Sequence, residues 1–269
     1  MAESNSKTIF VAKNLADILY HLNSIAGLEV RGACTRDKNI GEKFVTVKNI
    51  PELSLIEKRE RYIDFGSAVT LSQMISLGKN NMPSILFDAL CSIGTPAIRN
   101  VATLGGNICA KGHKLTLFAP LLALDARLEF KNPSETKYIQ MSKFNQAPEG
   151  YVLTKIRIPI DDWEVEVFKR TGPDCTINEY SNSFTFLADA QKDMLGDIRI
   201  AFCGKYNFRS KELENNLIGS RLPFSEERIN GILQETVSTF ERSVNLTPED
   251  NMLKDLFYNL MHTSLEALS

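Results

Sequence analysis

Long apolar runs are missing from this chain of 269 residues. No stretch approaches the roughly 20 residues that cross a bilayer, which excludes a helical membrane anchor as the reading of the sequence. The first residues, Met1 to Lys7, lack the apolar centre of a signal peptide, so a cytoplasmic location is expected. An excess of either charge is also lacking: 31 Lys and Arg stand against 33 Asp and Glu, a net charge of −2. Without a basic block, neither nucleic acid nor an anionic membrane is an expected partner. Histidine is scarce, and His21, His113 and His262 lie too far apart in sequence to suggest a metal triad. The five cysteines, Cys34, Cys91, Cys109, Cys175 and Cys203, form no C-x-x-C pair. That excludes a disulfide framework and gives no zinc or iron–sulfur ligand set, so each reads as a buried thiol. Repeats and low-complexity segments are absent too.

What is present is a composition of 43% hydrophobic and 24% charged residues, ordinary for a globular chain long enough for two domains. Thr8–Val11 precedes Asn14, a helix cap for 15–26, and Leu15, Ile18, Leu19, Leu22 and Ile25 recur at helical spacing. Leu28–Val30 and Phe44–Val47 read as strands, so the chain opens β-α-β. Tyr62–Gly66 reads as a strand, Thr70 caps a helix over 71–77, and a further helix covers Ser84–Cys91. Residues 121–130 pass from helix into strand, Tyr138–Met141 is a strand, and Val152–Ile158 alternates like a half-buried strand. The turn-like Pro159–Asp162 is the expected domain boundary. Beyond it, Glu164–Phe168, Ser183–Ala190 and Ile198–Phe202 read as antiparallel strands. Helices over 211–217, 226–240 and 252–268 follow, an α+β pattern.

The segment Gly94 to Ile108 carries the most chemistry. In it, Gly105 and Gly106 let consecutive backbone N–H groups converge as an anion-binding nest, which Thr103 and Asn107 flank with a hydroxyl and an amide. Gly-Gly-Asn reads equally as an ordinary tight turn.

The run Ile98–Ile108 resembles the signature of the FAD-binding subunits of the molybdenum hydroxylases. The resemblance continues in order through Leu121–Ala126, Ile156–Pro159, Phe168–Arg170, Asp197–Gly204 and Leu217–Gly219. It implies a two-lobed FAD-binding domain of the vanillyl-alcohol-oxidase-like type over 1–162, with lobes of about 1–57 and 58–162. A compact α+β domain would follow over 163–269. It implies non-covalent FAD, gripped at its pyrophosphate by one glycine-rich loop from each lobe.

By the same resemblance, Ala102, Thr103, Gly105, Gly106 and Asn107 contribute phosphate and ribityl contacts. Ile108, Leu153 and Ile93 are apolar neighbours of the cofactor, though Leu153 and Ile93 read equally as core. Lys169 stands where a cation sits beside the flavin N1–C2=O edge, or is a solvated lysine. The first-lobe loop departs from the pattern, reading Gly32-Ala33-Cys34-Thr35 with Ala33 in place of a glycine and Cys34 in place of a hydroxyl. Ala33 costs backbone freedom if its φ must be positive. Arg31 or Arg36 could supply a charge-assisted phosphate contact in compensation. Thr116 stands where the family places an Asp that binds a cofactor hydroxyl, and His113 and Lys114 are added polar groups beside it.

The expected function is that of a FAD-binding electron-transfer subunit. Molybdopterin-binding and 2Fe-2S subunits would be its partners and NAD+ a possible acceptor. A non-catalytic assembly subunit with a decayed FAD site stands as the alternative, and a stand-alone oxidoreductase of the same fold as a third.

Overall fold

The computed structural model describes residues 7–35, 41–173 and 176–269. In chain order its elements are β1 (Thr8–Phe10), α1 (Leu15–Ser24), β2 (Glu29–Arg31), β3 (Lys43–Thr46), β4 (Ile56–Lys58), β5 (Tyr62–Gly66) and α2 (Leu71–Ser76). Next come α3 (Ser84–Cys91), α4 (Pro96–Arg99), α5 (Leu104–Ile108), α6 (Phe118–Ala123), β6 (Arg127–Lys131), β7 (Thr136–Gln140) and β8 (Val152–Pro159). The last part holds β9 (Val165–Arg170), β10 (Ser183–Gln191), β11 (Met194–Cys203), β12 (Asn207–Phe208), α7 (Lys211–Leu217), α8 (Glu226–Val244) and α9 (Asn251–Glu266).

Two compact units form. One comprises Met1–Met82, Ile93–Lys111 and Leu124–Ile160; the other comprises Pro83–Ser92, Gly112–Ala123 and Asp161–Ser269. This division differs from a single boundary after 162. The apolar helices α3 and α6 pack on β9 and on β10 and β11 respectively, so they fall in the second unit.

In the first unit a parallel sheet of order β1-β3-β2 carries α1 as its crossover. The Asn14 side chain accepts from the Asp17 N–H at 2.8 Å, which satisfies one orphan donor of the first turn and starts α1. The buried face of α1, through Ile18, joins Val45, Val47, Ile50, Leu53, Ala68 and Val152 in a small core. An antiparallel sheet of order β4-β5-β8-β6-β7 makes up the larger lobe. In it Asp64 sits opposite Arg157, whose Nε and Nη2 donate to the carboxylate at 2.8 Å each. The Tyr62 ring lies 3.9 Å from that guanidinium, and the buried Asp64 holds the Arg157 pKa above its ordinary value. Strand β8 alternates only from Thr154 onward. Val152, Leu153 and Thr154 are all buried, beside the β-bulge at Glu129/Phe130 that breaks the two-residue period.

The second unit is built on an antiparallel sheet of order β12-β11-β10-β9. Phe184, Phe186, Ile198, Ile200 and Phe202 point from one face into a core closed by α7, α8 and α9. Phe208, Phe240 and Phe257 meet there edge-to-face or tilted with centroids 4.4–5.3 Å apart, and each such pair adds about 0.5–1.5 kcal/mol to its area burial. Arg199, out of phase with those core positions, donates to the Ala123 carbonyl at 3.2 Å. Arg209 donates to Leu122 O while paired with buried Glu214, which also accepts from Ile200 N at 2.9 Å. The two arginines thus close the last carbonyls of α6.

The cysteines depart from expectation. Cys203 is buried, and burial pushes its thiol pKa up, but Cys34 and Cys91 are exposed and Cys109 is half-buried. Cys34 is exposed because it lies in a turn, and Cys91 because it ends α3 on the outer side. Cys175 lies outside the described residues.

Candidate cofactor site

The Gly105-Gly106 segment is not the open nest that its sequence suggests. It is the first turn of the short helix α5, with neither glycine at positive φ. The N–H of Leu104 donates to Val69 O and that of Gly105 to Ser67 O, each at 2.9 Å. The Thr103 hydroxyl, as N-cap, takes the Gly106 N–H at 3.1 Å. All three first-turn donors are therefore spent inside the protein.

The glycines serve close approach instead. A Cβ on Gly105 would lie 2.8 Å from both Ser67 Cβ and Ser67 O, so this glycine seats α5 against the chain leaving β5. A Cβ on Gly106 would lie 2.9 Å from the Thr103 hydroxyl and 4.0 Å from Gly32 Cα. One on Gly32 would lie 2.8 Å from the same hydroxyl and 3.5 Å from Gly106 Cα. The two glycine segments of the first unit thus meet glycine to glycine over Thr103, and Gly106 stays exposed on the outside of that meeting.

In the first loop the left-handed residue is Cys34, with φ 54°, and not Ala33 as the glycine pattern implied. Ala33 therefore carries no positive-φ penalty. Among the described residues, the backbone N–H groups of Ala33, Cys34 and Thr35 have no acceptor. The Gly32 carbonyl is held back by the Thr46 hydroxyl at 3.2 Å. A left-handed residue after residues of negative φ turns successive N–H groups toward one side, the geometry of an anion nest. The nest that the sequence places on α5 is better formed at 33–35.

Arg31 does not extend free toward a phosphate. Its Nε donates to Glu29 Oε2 at 3.0 Å. Lys111 Nζ meets Glu29 Oε1 at 2.8 Å and the Gly41 N–H reaches Oε2 at 3.3 Å. Burial opposes ionisation of Glu29, yet the hydrogen bonds from Lys111 and Arg31 outweigh it and hold the carboxyl down at about 2. Arg36 lies outside the described residues.

Of the sequence-derived residues, Gly32, Ala33, Cys34, Thr35, Thr103, Gly105, Gly106 and Asn107 share the first unit. Asn107 Oδ1 and Ser67 Oγ are buried there with no hydrogen-bond partner among the described residues. A buried polar atom left unpaired costs about 1–3 kcal/mol, which marks both as acceptors or donors awaiting a ligand or water. Ala102 gives its carbonyl to Leu71 N at 3.0 Å and holds the turn before Thr103. Ile93 is half-buried and its carbonyl accepts from Arg99 at 2.8 Å. Ile108 and Leu153, at 1% and 6% exposure, are spent on the core, which leaves little of either for a ring to pack against. Thr116 and Lys169 belong to the second unit, Thr116 buried and Lys169 exposed on β9. His113 Nε2 is hydrogen-bonded to the Ser181 carbonyl, and the Lys114 ammonium lies 4.9 Å from the Phe118 ring centroid. Ser67, Thr46 and Glu29 carried no signal in the sequence, since their roles come from partners far along the chain.

The exposed Gly106 beside Gly32 and three unspent N–H groups fit a phosphate-bearing dinucleotide, and the comparisons name it. Residues 29–161 match the FAD binding domain in molybdopterin dehydrogenase, and this part of the chain is a domain of that family, with FAD as its cofactor. The chain is 36% identical over 108 residues to the xanthine dehydrogenase FAD-binding subunit of Escherichia coli O157:H7, covering 39% of this chain and 37% of that one. It is 29% identical over 221 residues to abscisic-aldehyde oxidase of Arabidopsis thaliana, covering 71% of this chain and 16% of that protein. The chain therefore spans well under half the length of these relatives. A chain of carbon monoxide dehydrogenase from Hydrogenophaga pseudoflava superposes with TM-score 0.83 at 15% identity, over 98% of this chain and 97% of that one. This likeness establishes the fold, two-lobed FAD-binding domain and compact α+β domain together. Among the described residues, no helix is long and apolar enough to cross a membrane.

Proposed function

We propose that this chain is the FAD-holding component of a molybdenum hydroxylase-type oxidoreductase. It would receive electrons from 2Fe-2S centres in a partner subunit, themselves supplied by a molybdopterin-binding subunit, and would deliver them to NAD+. The observation that carries the reading is the meeting of Gly32 and Gly106 beside the unspent N–H groups of 33–35. Those N–H groups would donate to the pyrophosphate, the dominant polar demand of an extended dinucleotide. Thr103, its hydroxyl already accepting from Gly106, keeps the oxygen's own proton available for a phosphate oxygen. Asn107 would contribute its amide to a ribityl or phosphate oxygen. FAD, when bound, supplies reversible hydride and single-electron chemistry, so the protein needs to position and tune rather than to provide an acid–base pair. The assignments of Thr116 and Lys169 rest on the resemblance alone.

Purification decides the first part. The chain should be yellow and release about one FAD per chain on denaturation. A colourless protein that gains neither flavin absorbance nor thermal stability with added FAD overturns this reading in favour of an assembly subunit. Anaerobic NADH should then bleach the bound flavin; a flavin bleached by dithionite and untouched by NADH removes NAD+ as acceptor.

A further inference from the structure

We propose that Glu29 is the positioning residue of the 32–35 segment, holding its entry at Arg31, the backbone at Gly41 and the chain leaving α5 in one frame. The inference deepens the reading of the glycine pair as the FAD pyrophosphate site and rests on it.

Glu29 contacts three chain segments: the one entering Gly32, the one at Gly41 and the one leaving α5. Arg31, immediately before Gly32, is the entry to the loop, and its guanidinium is bound by Glu29 Oε2 at 3.0 Å. Gly41 lies two residues before β3, and its N–H donates to the same oxygen at 3.3 Å. Lys111, three residues beyond the end of α5, reaches Oε1 at 2.8 Å. Sequence separations of 2, 12 and 82 converge on one carboxylate. A Cβ at Gly41 would sit 2.8 Å from Glu29 Oε2, so an added methyl would displace the carboxylate from its place.

The charges add a second effect. Arg31 and Lys111 would repel each other without the carboxylate between them. The carboxylate thereby holds the entry to 32–35 beside the chain leaving α5, and a ligand that finds its donors in place loses less affinity to ordering.

Five full-chain variants test this, with FAD affinity followed by quenching of free-flavin fluorescence. Glu29→Gln keeps the shape and removes the charge; it should weaken FAD binding about tenfold while the melting temperature of the flavin-free protein stays within a few degrees. Lys111→Gln should weaken it about threefold, less because the lysine is largely exposed. The double variant should bind no more weakly than Glu29→Gln, because both changes remove one interaction. Gly41→Ala leaves every charge in place and displaces the carboxylate, so it too should lower FAD affinity; it stands in if Glu29→Gln fails to fold. Wild-type affinity in Glu29→Gln or in Gly41→Ala overturns the proposal, as do effects of Glu29→Gln and Lys111→Gln that multiply in the double variant. Gly106→Val separates this failure from that of the underlying reading. If Gly106→Val still binds FAD, the site itself is misplaced; if it loses FAD while Glu29→Gln keeps it, only the role of Glu29 falls.

Discussion

The two glycine segments of the first unit do opposite things with their backbones. α5 spends its first N–H groups on Val69 O, Ser67 O and the Thr103 hydroxyl, and offers a glycine surface. The loop at 32–35 spends none of the N–H groups of 33–35 among the described residues, and offers donors. One segment is a wall, the other a hand. A double glycine thus does not by itself mark where an anion is bound; it can equally mark where two backbones must touch.

Breaking the wall should have the largest effect. Gly106→Val places a branched side chain toward Gly32 Cα, and FAD affinity in a fluorescence titration should fall about a hundredfold or more, some 2.7 kcal/mol. Undiminished affinity would take α5 out of the site. Gly105→Ala sharpens the contrast between neighbours. Its methyl would press on Ser67 backbone, so chemical denaturation should show a loss of about 1–3 kcal/mol while the folded fraction keeps wild-type FAD affinity. A large affinity change without a stability change would reverse the roles assigned to the two glycines.

In the hand, Cys34→Gly should relieve the left-handed strain and stabilise by up to about 1 kcal/mol, read as a rise in melting temperature. Cys34→Val should lower it. The smallest effect is on pH. The folded-state pKa of Glu29 is depressed, from 4.5 to about 2, so its contribution to stability is complete above about 4.5 and is lost as pH falls toward 2. The melting temperatures of wild type and Glu29→Gln should therefore converge over that interval. A gap that stays constant or widens on acidification would show that the carboxylate's ionisation contributes nothing.

Much of the fold was legible. Tyr62–Gly66, Ser84–Cys91 and Lys211–Leu217 form with the bounds their patterns announce, because apolar spacing and a terminal cap or breaker act locally. The family was legible through the ordered landmarks. The working of the candidate site was not. That α5 is helical follows from Ser67 and Val69 accepting its N–H groups, partners over thirty residues away that no local pattern reveals. That Cys34 and not Ala33 turns left-handed has no signal in the local pattern, and the Gly32 carbonyl before it is held by Thr46, a partner fourteen residues on. The burial of Leu153 beside a bulge breaks the alternation by which β8 was read.

The interleaving of the two units has a practical meaning. The chain passes from one to the other after Met82, Ser92, Lys111, Ala123 and Ile160. No truncation yields a free-standing module: a fragment ending at 162 would carry Leu86, Leu90 and Leu121 with their host sheet removed. Such a fragment would be sticky in the manner of an uncapped interior. Whoever transplants this FAD-binding domain into another scaffold must bring the second unit's sheet along, or recast α3 and α6 as surface helices.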